Sequence, residues 1–133
     1  MLKELYRELP EFSAILTFVD AIFAEINIGL LIYYVKDPTK IGSAKLIYAN
    51  KQASRCTGTD LRHRVGMLIF EAFPGLEGTD ASAAFQKVVN TGESSRVGLV
   101  EYGDEDVKHA KYSTRAFPMP NSCLGVIFER DNG

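Results

Sequence analysis

The chain has 133 residues, 46% of them hydrophobic, which is enough for one domain with a single core. Its formal net charge is −2, from 15 Lys and Arg against 17 Asp and Glu, and no basic cluster suits nucleic acid or a lipid headgroup. The two cysteines, Cys56 and Cys123, lie far apart without metal-ligand spacing, and the charged start does not resemble a signal peptide. We therefore expect a cytoplasmic, reduced protein without nucleic-acid or membrane contact.

The first 26 residues carry a heptad pattern of apolar side chains. Eight of them are spaced three and four apart: Leu2, Leu5, Leu9, Phe12, Leu16, Val19, Phe23 and Ile26. Pro10 interrupts this helix near its start, and Ile15, Phe18 and Ile22 add a second apolar flank. We expect the flank with Ile15 and Ile22 to cover the domain. The dimer interface is predicted at Phe12, Leu16, Val19 and Phe23. A helix that packs only on its own domain is the alternative.

Two strands and several short helices follow. The segment GLLIYYV, residues 29–35, is apolar without alternation, which is typical of a strand buried on both faces. After a turn with Pro38 and Gly42, residues 44–50 form a second strand and complete a hairpin. From residue 51 to about 74, short segments end at Gly or Pro and predict two or three short helices.

The second half of the chain predicts one longer helix, roughly Thr79 to Asn90, and three more strands. These strands cover residues 95–102, 110–119 and 123–130, with an acidic turn before the middle one. A helix, two strands, short helices, a longer helix and three strands indicate an α+β domain on an antiparallel sheet.

In this order the residues resemble a PAS domain from about Asn27 to Asp131. The similarity rests on the IYAN of the second strand, Gly58, the LRHRVGMLIFEAFP segment, VVNTGE and the final FERD. It implies a five-stranded antiparallel sheet in the order 2-1-5-4-3, with short helices around a small cavity on one face. It divides the chain into an N-terminal helix at 1–26 and a PAS domain at 27–131. Asn50 then caps the first short helix.

The resemblance implies a sensory module of an intracellular signalling protein. Such a module binds a small ligand or dimerises, and acts on an effector domain such as a histidine kinase, a cyclic-dinucleotide enzyme or a transcription regulator. A ligand is expected to be small and apolar and to contact Phe70, Phe73, Phe85, Val88, Leu99, Tyr112 and Ile127. A PAS-like module whose own side chains fill the cavity, and which only dimerises, is the alternative.

The residues that hold coloured cofactors in this family are missing here. Haem-binding PAS domains usually place the proximal His on the longer helix, where this chain has AAFQKVVN. Light-sensing flavin relatives carry a reactive Cys in an Asn-Cys-Arg-Phe-Leu-Gln motif, and MLIFEAFP in the corresponding region has none. The cofactor, if there is one, is unknown, and we expect a colourless protein without haem or a covalent flavin adduct.

A small acid–base enzyme with a ketosteroid isomerase-like cavity is a further alternative. It needs a buried acid facing an apolar pocket, whereas the turn context of Asp104, Glu105 and Asp106 predicts exposure. Several tyrosines are plausible donors but are interpreted as ordinary strand residues: Tyr33, Tyr34, Tyr48, Tyr102 and Tyr112. No nucleophile–base pair, P-loop or metal cluster is apparent, so we expect no enzymatic activity in this domain.

Overall fold

The computed structural model describes the backbone of residues 9–131 and the side chains of residues 14–131. Its helices are α1 (Leu9–Ile26), α2 (Lys51–Thr57), α3 (Ile69–Ala72) and α4 (Asp80–Thr91). Its strands are β1 (Gly29–Val35), β2 (Ala44–Ala49), β3 (Ser95–Tyr102), β4 (Ala110–Met119) and β5 (Cys123–Arg130). Short 3-10 turns lie at Ile41–Ser43, Leu61–Arg64 and Pro74–Leu76.

The five strands form one antiparallel sheet in the order β2-β1-β5-β4-β3. This confirms the predicted α+β class, the first hairpin and the strand order. β1 pairs on one side with β2 and on the other with β5, and its residues are buried or half-buried throughout. The unbroken apolar run of its sequence is therefore explained by its central position.

One face of the sheet carries the core. Leu31, Tyr33 and Val35 of β1 point to this face, and Leu124, Val126 and Phe128 of β5 lie beside them. Residues 50–76, from the residue before α2 to the last 3-10 turn, lie over this face and are called the covering segment below. α4 follows and adds Phe85 and Val88 to the same core.

α1 packs against the domain with a different side from the one expected. The Tyr48 hydroxyl donates a hydrogen bond to the Asp20 carboxylate, and the Gln52 side-chain amide donates to the Ala24 carbonyl at 3.5 Å. Leu16, Val19 and Phe23 share the Asp20 side and are half-buried. Among the side chains of α1 that the structure describes, the exposed large apolar ones, each by 51–70%, are Ile15, Phe18, Ile22 and Ile26.

The expectation that Ile15 and Ile22 cover the domain is therefore wrong, because helical geometry turns them away when Asp20 faces Tyr48. The dimer contact through Leu16, Val19 and Phe23 stays a prediction, and the side chain of Phe12 lies outside the described residues. Among the described residues, no helix is both long and apolar enough to cross a membrane.

Candidate ligand-binding site

The covering segment begins at Asn50, directly after β2. Asn50 is 1% exposed, and its Oδ1 accepts hydrogen bonds from the backbone N–H groups of Ala53, at 2.8 Å, and Leu30, at 2.9 Å. Its Nδ2 donates to the Ile28 carbonyl at 3.1 Å. One side chain thus caps α2 and ties the cap to the neighbouring strand β1.

α2 lies directly on the start of β1. A Cβ atom at Gly29 would come within 3.0 Å of the Ala53 Cα and 2.8 Å of the Phe128 ring, so only glycine permits this approach. At its other end, α2 stops at Gly58 in the left-handed conformation, with φ of 76°. The first short helix is therefore fixed at both ends despite having only seven residues.

A cavity of about 70 Å³ lies between the sheet and the helices. The strands supply most of its lining: Leu31, Tyr33, Val100, Tyr102, Tyr112, Thr114, Val126 and Phe128. The helices and loops supply Thr57, Phe73, Leu76, Phe85 and Val107. The lining is apolar apart from five hydroxyl groups, and it contains no charged side chain.

Three of the seven residues predicted to contact a ligand line this cavity: Phe73, Phe85 and Tyr112. Val88 is buried in the core outside it, and Phe70 is half-buried beside Gly42. Leu99 and Ile127 do not line it, since Leu99 is 59% exposed and the lining residues of these strands are Val100, Tyr102, Val126 and Phe128. The prediction that Leu99 and Ile127 face the cavity is therefore wrong. Successive strand residues point to opposite faces of the sheet, and the neighbours of these two residues face the cavity instead.

The far part of the covering segment is held by an ion pair with the loop after β3. Arg64 Nη1 lies 2.9 Å from Asp104 Oδ2, and Nη2 lies 3.2 Å from Oδ1. Nη1 also donates to the Ala72 carbonyl at 2.7 Å. The two charged side chains are only 12% and 15% exposed, so the prediction that Asp104 is exposed is wrong.

Asp104 is almost fully engaged by hydrogen bonds. Its Oδ1 accepts from the backbone N–H groups of Asp106 at 2.9 Å and Val107 at 2.8 Å, which is a common use of Asp in turns. Its Oδ2 accepts from the Tyr102 hydroxyl at 2.7 Å. Burial alone would raise the pKa of Asp104, but the hydrogen bonds from Arg64, Val107 and Tyr102 hold it well below its usual range.

This ion pair contacts the aromatic part of the cavity lining. The Arg64 guanidinium lies 5.3 Å from the Phe73 ring centroid, and Phe73 meets Tyr102 edge to face at 5.7 Å. Because Phe73 and Tyr102 both line the cavity, its aromatic wall and the ion pair form one connected cluster. No local pattern in the sequence predicts this pairing, because Arg64 and Asp104 are separated by 40 residues.

Within the described residues, no three His, Cys, Asp or Glu side chains are placed to hold a metal ion. Burial raises the pKa of the Cys56 thiol, which opposes the thiolate form that reactive cysteines use. The Cys56 carbonyl accepts a hydrogen bond from Arg130 Nη2 at 2.7 Å, so α2 is joined to the end of β5.

No protein-family model and no curated protein matches this chain. It is similar to the solved PAS domain of nitrogen regulation protein NR(II) from Vibrio parahaemolyticus, with 15% identity and a TM-score of 0.64 over 84% of this chain and 96% of that one. A domain of a sensory box sensor histidine kinase/response regulator from Geobacter sulfurreducens gives 13% identity and a TM-score of 0.63, over 90% and 95% of the two chains.

An RNA-binding Light-Oxygen-Voltage receptor is similar over 86% of this chain, with 14% identity and a TM-score of 0.62. The chain spans only 33% of that receptor and 60% of a LOV protein from Rhodobacter sphaeroides. At these identities the similarities show a shared fold.

Proposed function

We propose that this chain, which has the PAS fold, is a sensory module that binds a small neutral ligand in the cavity between its sheet and its covering segment. The observation that carries this proposal is the apolar cavity itself, which the core side chains leave unfilled at about 70 Å³. Native cores contain few voids larger than a water molecule, so an unfilled space of this size favours an occupant over simple packing.

The size of the cavity constrains the ligand. An engineered apolar cavity of about 150 Å³ binds benzene. The space here is about half as large, which suits a molecule of a few non-hydrogen atoms and is far too small for haem or flavin. The cavity therefore supports the expectation of a colourless protein.

The covering segment offers a route by which a ligand could act on the rest of the molecule. Thr57 of α2 lines the cavity, Gln52 of α2 contacts the Ala24 carbonyl of α1, and Cys56 of α2 accepts a hydrogen bond from Arg130 of β5. A ligand that shifts α2 would thus move both chain segments that flank the domain. We propose that an effector domain, attached or separate, receives the signal there.

An enzymatic role has less support. Asp104 is a mostly buried acid bonded to the cavity residue Tyr102, but it is not itself part of the lining, and Arg64 and two backbone N–H groups stabilise its ionised form. Neither cysteine forms a disulfide, which suits the proposed cytoplasmic location.

The experiment is native mass spectrometry of the freshly purified protein, followed by the same measurement on Phe85→Trp. Phe85 is buried and lines the cavity, so the larger indole fills the space and should abolish binding of any co-purifying molecule. Phe117→Trp is the matched control because Phe117 packs over Gly125 on the other face of the sheet. A bound molecule that survives Phe85→Trp unchanged would overturn the assignment of the cavity.

A second function, homodimerisation through α1, is favoured by a specific observation. Ile15, Phe18, Ile22 and Ile26 form one exposed apolar stripe on an 18-residue helix. Burying one such side chain contributes about 1.5–3 kcal/mol, so four per chain outweigh a moderate association cost. We propose that this stripe contacts a second copy of the chain, in place of the half-buried residues first expected there.

Two double variants test which face of α1 forms the dimer contact. Phe18→Glu with Ile22→Glu should give a folded monomer, because these side chains are mostly exposed and lose little packing within their own domain. Leu16→Glu with Val19→Glu should instead lower the free energy of unfolding, because these residues are half-buried. Sedimentation velocity decides the question: a wild-type chain that stays monomeric at micromolar concentration rules the dimer out.

A further inference from the structure

Four of the five hydroxyl groups that line the cavity donate a hydrogen bond to an acceptor in the protein. Thr57 Oγ1 donates to the Ala53 carbonyl at 2.9 Å, and Thr114 Oγ1 donates to the Tyr112 carbonyl at 2.9 Å. The Tyr102 hydroxyl donates to Asp104 at 2.7 Å, and the Tyr112 hydroxyl donates to the Lys108 carbonyl at 3.0 Å. The fifth hydroxyl belongs to Tyr33.

Tyr33 is 1% exposed and lines the cavity, and no hydrogen bond from its hydroxyl to another described residue is found. A buried hydroxyl without a partner is costly, and buried Tyr side chains usually find one. Burial, with a smaller contribution from nearby Tyr102, raises the pKa of Tyr33, so the phenol is a neutral donor at physiological pH. The Tyr33 hydroxyl can therefore complete a hydrogen bond only with an acceptor oxygen or nitrogen from outside the protein.

The rest of the lining defines what kind of molecule can supply that acceptor. No charged side chain faces the cavity, so a carboxylate or phosphate would be buried without a counter-ion. The remaining surface is formed by apolar side chains such as Leu31, Phe85 and Val126. A neutral molecule with an apolar body and one acceptor oxygen satisfies both conditions.

We infer that the cavity takes a small neutral carbonyl compound, of the size of a short ketone, whose oxygen accepts a hydrogen bond from the Tyr33 hydroxyl. This inference rests on the proposed ligand-binding function and adds to it the ligand class and the residue that selects it. The chemistry involves binding alone, with no covalent step. A ketone is preferred to a hydrocarbon of the same shape because only the ketone satisfies the buried donor.

The test compares two probes of matched shape, 2-butanone and 2-methyl-1-butene, in which a CH₂ group replaces the oxygen. Both are titrated into the isotope-labelled protein, and binding is followed by NMR shifts of cavity residues such as Val126 and Val100. Tyr33→Phe removes only the hydroxyl and retains the ring that packs in the core. Tyr34→Phe is the matched control, since Tyr34 is the next residue of β1 and points to the opposite face of the sheet.

We expect Tyr33→Phe to weaken 2-butanone binding about three- to tenfold and to leave 2-methyl-1-butene binding unchanged or tighter. Tyr34→Phe should change neither. If Tyr33→Phe affects both probes equally, the inference fails while the cavity remains a ligand site. If neither probe shifts cavity residues of the wild-type protein, the proposed ligand-binding function fails as well.

A second measurement uses the wild-type protein alone, so it does not depend on the folding of a variant. The buried Tyr33 hydroxyl proton should be visible by NMR and should shift on addition of 2-butanone but not of the alkene. A long-lived water that stays bound to this hydroxyl at saturating 2-butanone would overturn the inference, because water would then be the missing acceptor.

Discussion

The covering segment is attached to the rest of the domain at two places by different chemistry. At its start, the neutral side chain of Asn50 makes three hydrogen bonds to backbone groups of Ile28, Leu30 and Ala53 and is 1% exposed. Further along, Arg64 is joined to Asp104 by a charged pair whose two side chains keep 12% and 15% of their surface exposed. The first attachment depends on one neutral side chain bonded to backbone groups, and the second depends on a pair of oppositely charged side chains.

This difference indicates which end opens more easily. Losing the Asn50 contacts leaves backbone N–H groups buried without acceptors, which costs the full desolvation penalty. When the Arg64–Asp104 pair separates, both charged groups can be solvated at the surface, so the penalty is smaller. We therefore expect the region of Arg64 and α3 to be the part of the covering segment that opens over the cavity.

The largest effect is expected for Asn50→Ala. It removes the cap of α2 and the acceptor for the Leu30 N–H, and should lower the free energy of unfolding by about 2–4 kcal/mol. Urea denaturation measures this change. Asn90→Ala, at an exposed site in α4, is the control and should stay within about 0.5 kcal/mol of wild type. Equal losses for the two variants would contradict the role given to Asn50.

A smaller effect is expected for Arg64→Lys. Lysine keeps the charge but lacks the fork that reaches both oxygens of Asp104, so we expect a loss of about 1–2 kcal/mol. Arg62→Lys is the matched control in the same 3-10 turn, because Arg62 forms an exposed pair with Asp60. That pair is screened by solvent, so we expect Arg62→Lys to change the free energy of unfolding little. If urea denaturation shows that Arg62→Lys lowers the free energy of unfolding more than Arg64→Lys does, the burial of the Arg64–Asp104 pair is unimportant.

The smallest effect concerns pH. The folded-state pKa of Asp104 lies below the ordinary Asp value of about 3.9, so its contribution is complete above that value and is lost as the pH falls towards the folded pKa. The difference in unfolding free energy between wild type and Asp104→Asn should stay constant from pH 7 to 5 and shrink below pH 4. Asp106→Asn, at a mostly exposed position, should show little difference throughout. A difference that already declines between pH 7 and 5 would contradict the lowered pKa.

The helices and strands of the fold could be predicted from the sequence because each carries a local signal. The apolar run of β1, the Gly and Pro residues that end the short helices, and Asn50 between a strand and a helix all act within a few residues. Such signals follow from backbone geometry and capping, which do not depend on distant parts of the chain.

The candidate site was harder to predict from the sequence. It depends on which face of the sheet each strand residue points to, and on contacts between residues far apart in the chain. Apolar side chains occupy both faces of β5, so alternation alone did not show that Val126 and Phe128, rather than Ile127, face the cavity. Asp104 lies in an acidic turn whose composition predicts exposure, and its partner Arg64 is 40 residues away. The sequence does not distinguish Tyr33 from other strand tyrosines. Only the structure shows that the hydroxyls of Tyr102 and Tyr112 have acceptors within the protein.

Native-state hydrogen exchange at neutral pH tests most directly whether the attachments at Asn50 and at Arg64 differ in stability. The amides of Ala72 and Phe73 donate to Leu68 and Ile69 in and beside α3, whereas those of Leu30 and Ala53 donate to Asn50. We expect Ala72 and Phe73 to exchange through an opening of lower free energy, which Arg64→Lys lowers further without an equal change at Leu30 and Ala53. If all four amides exchange only by global unfolding, or if Arg64→Lys shifts all four equally, the covering segment is a single unit and the account is wrong.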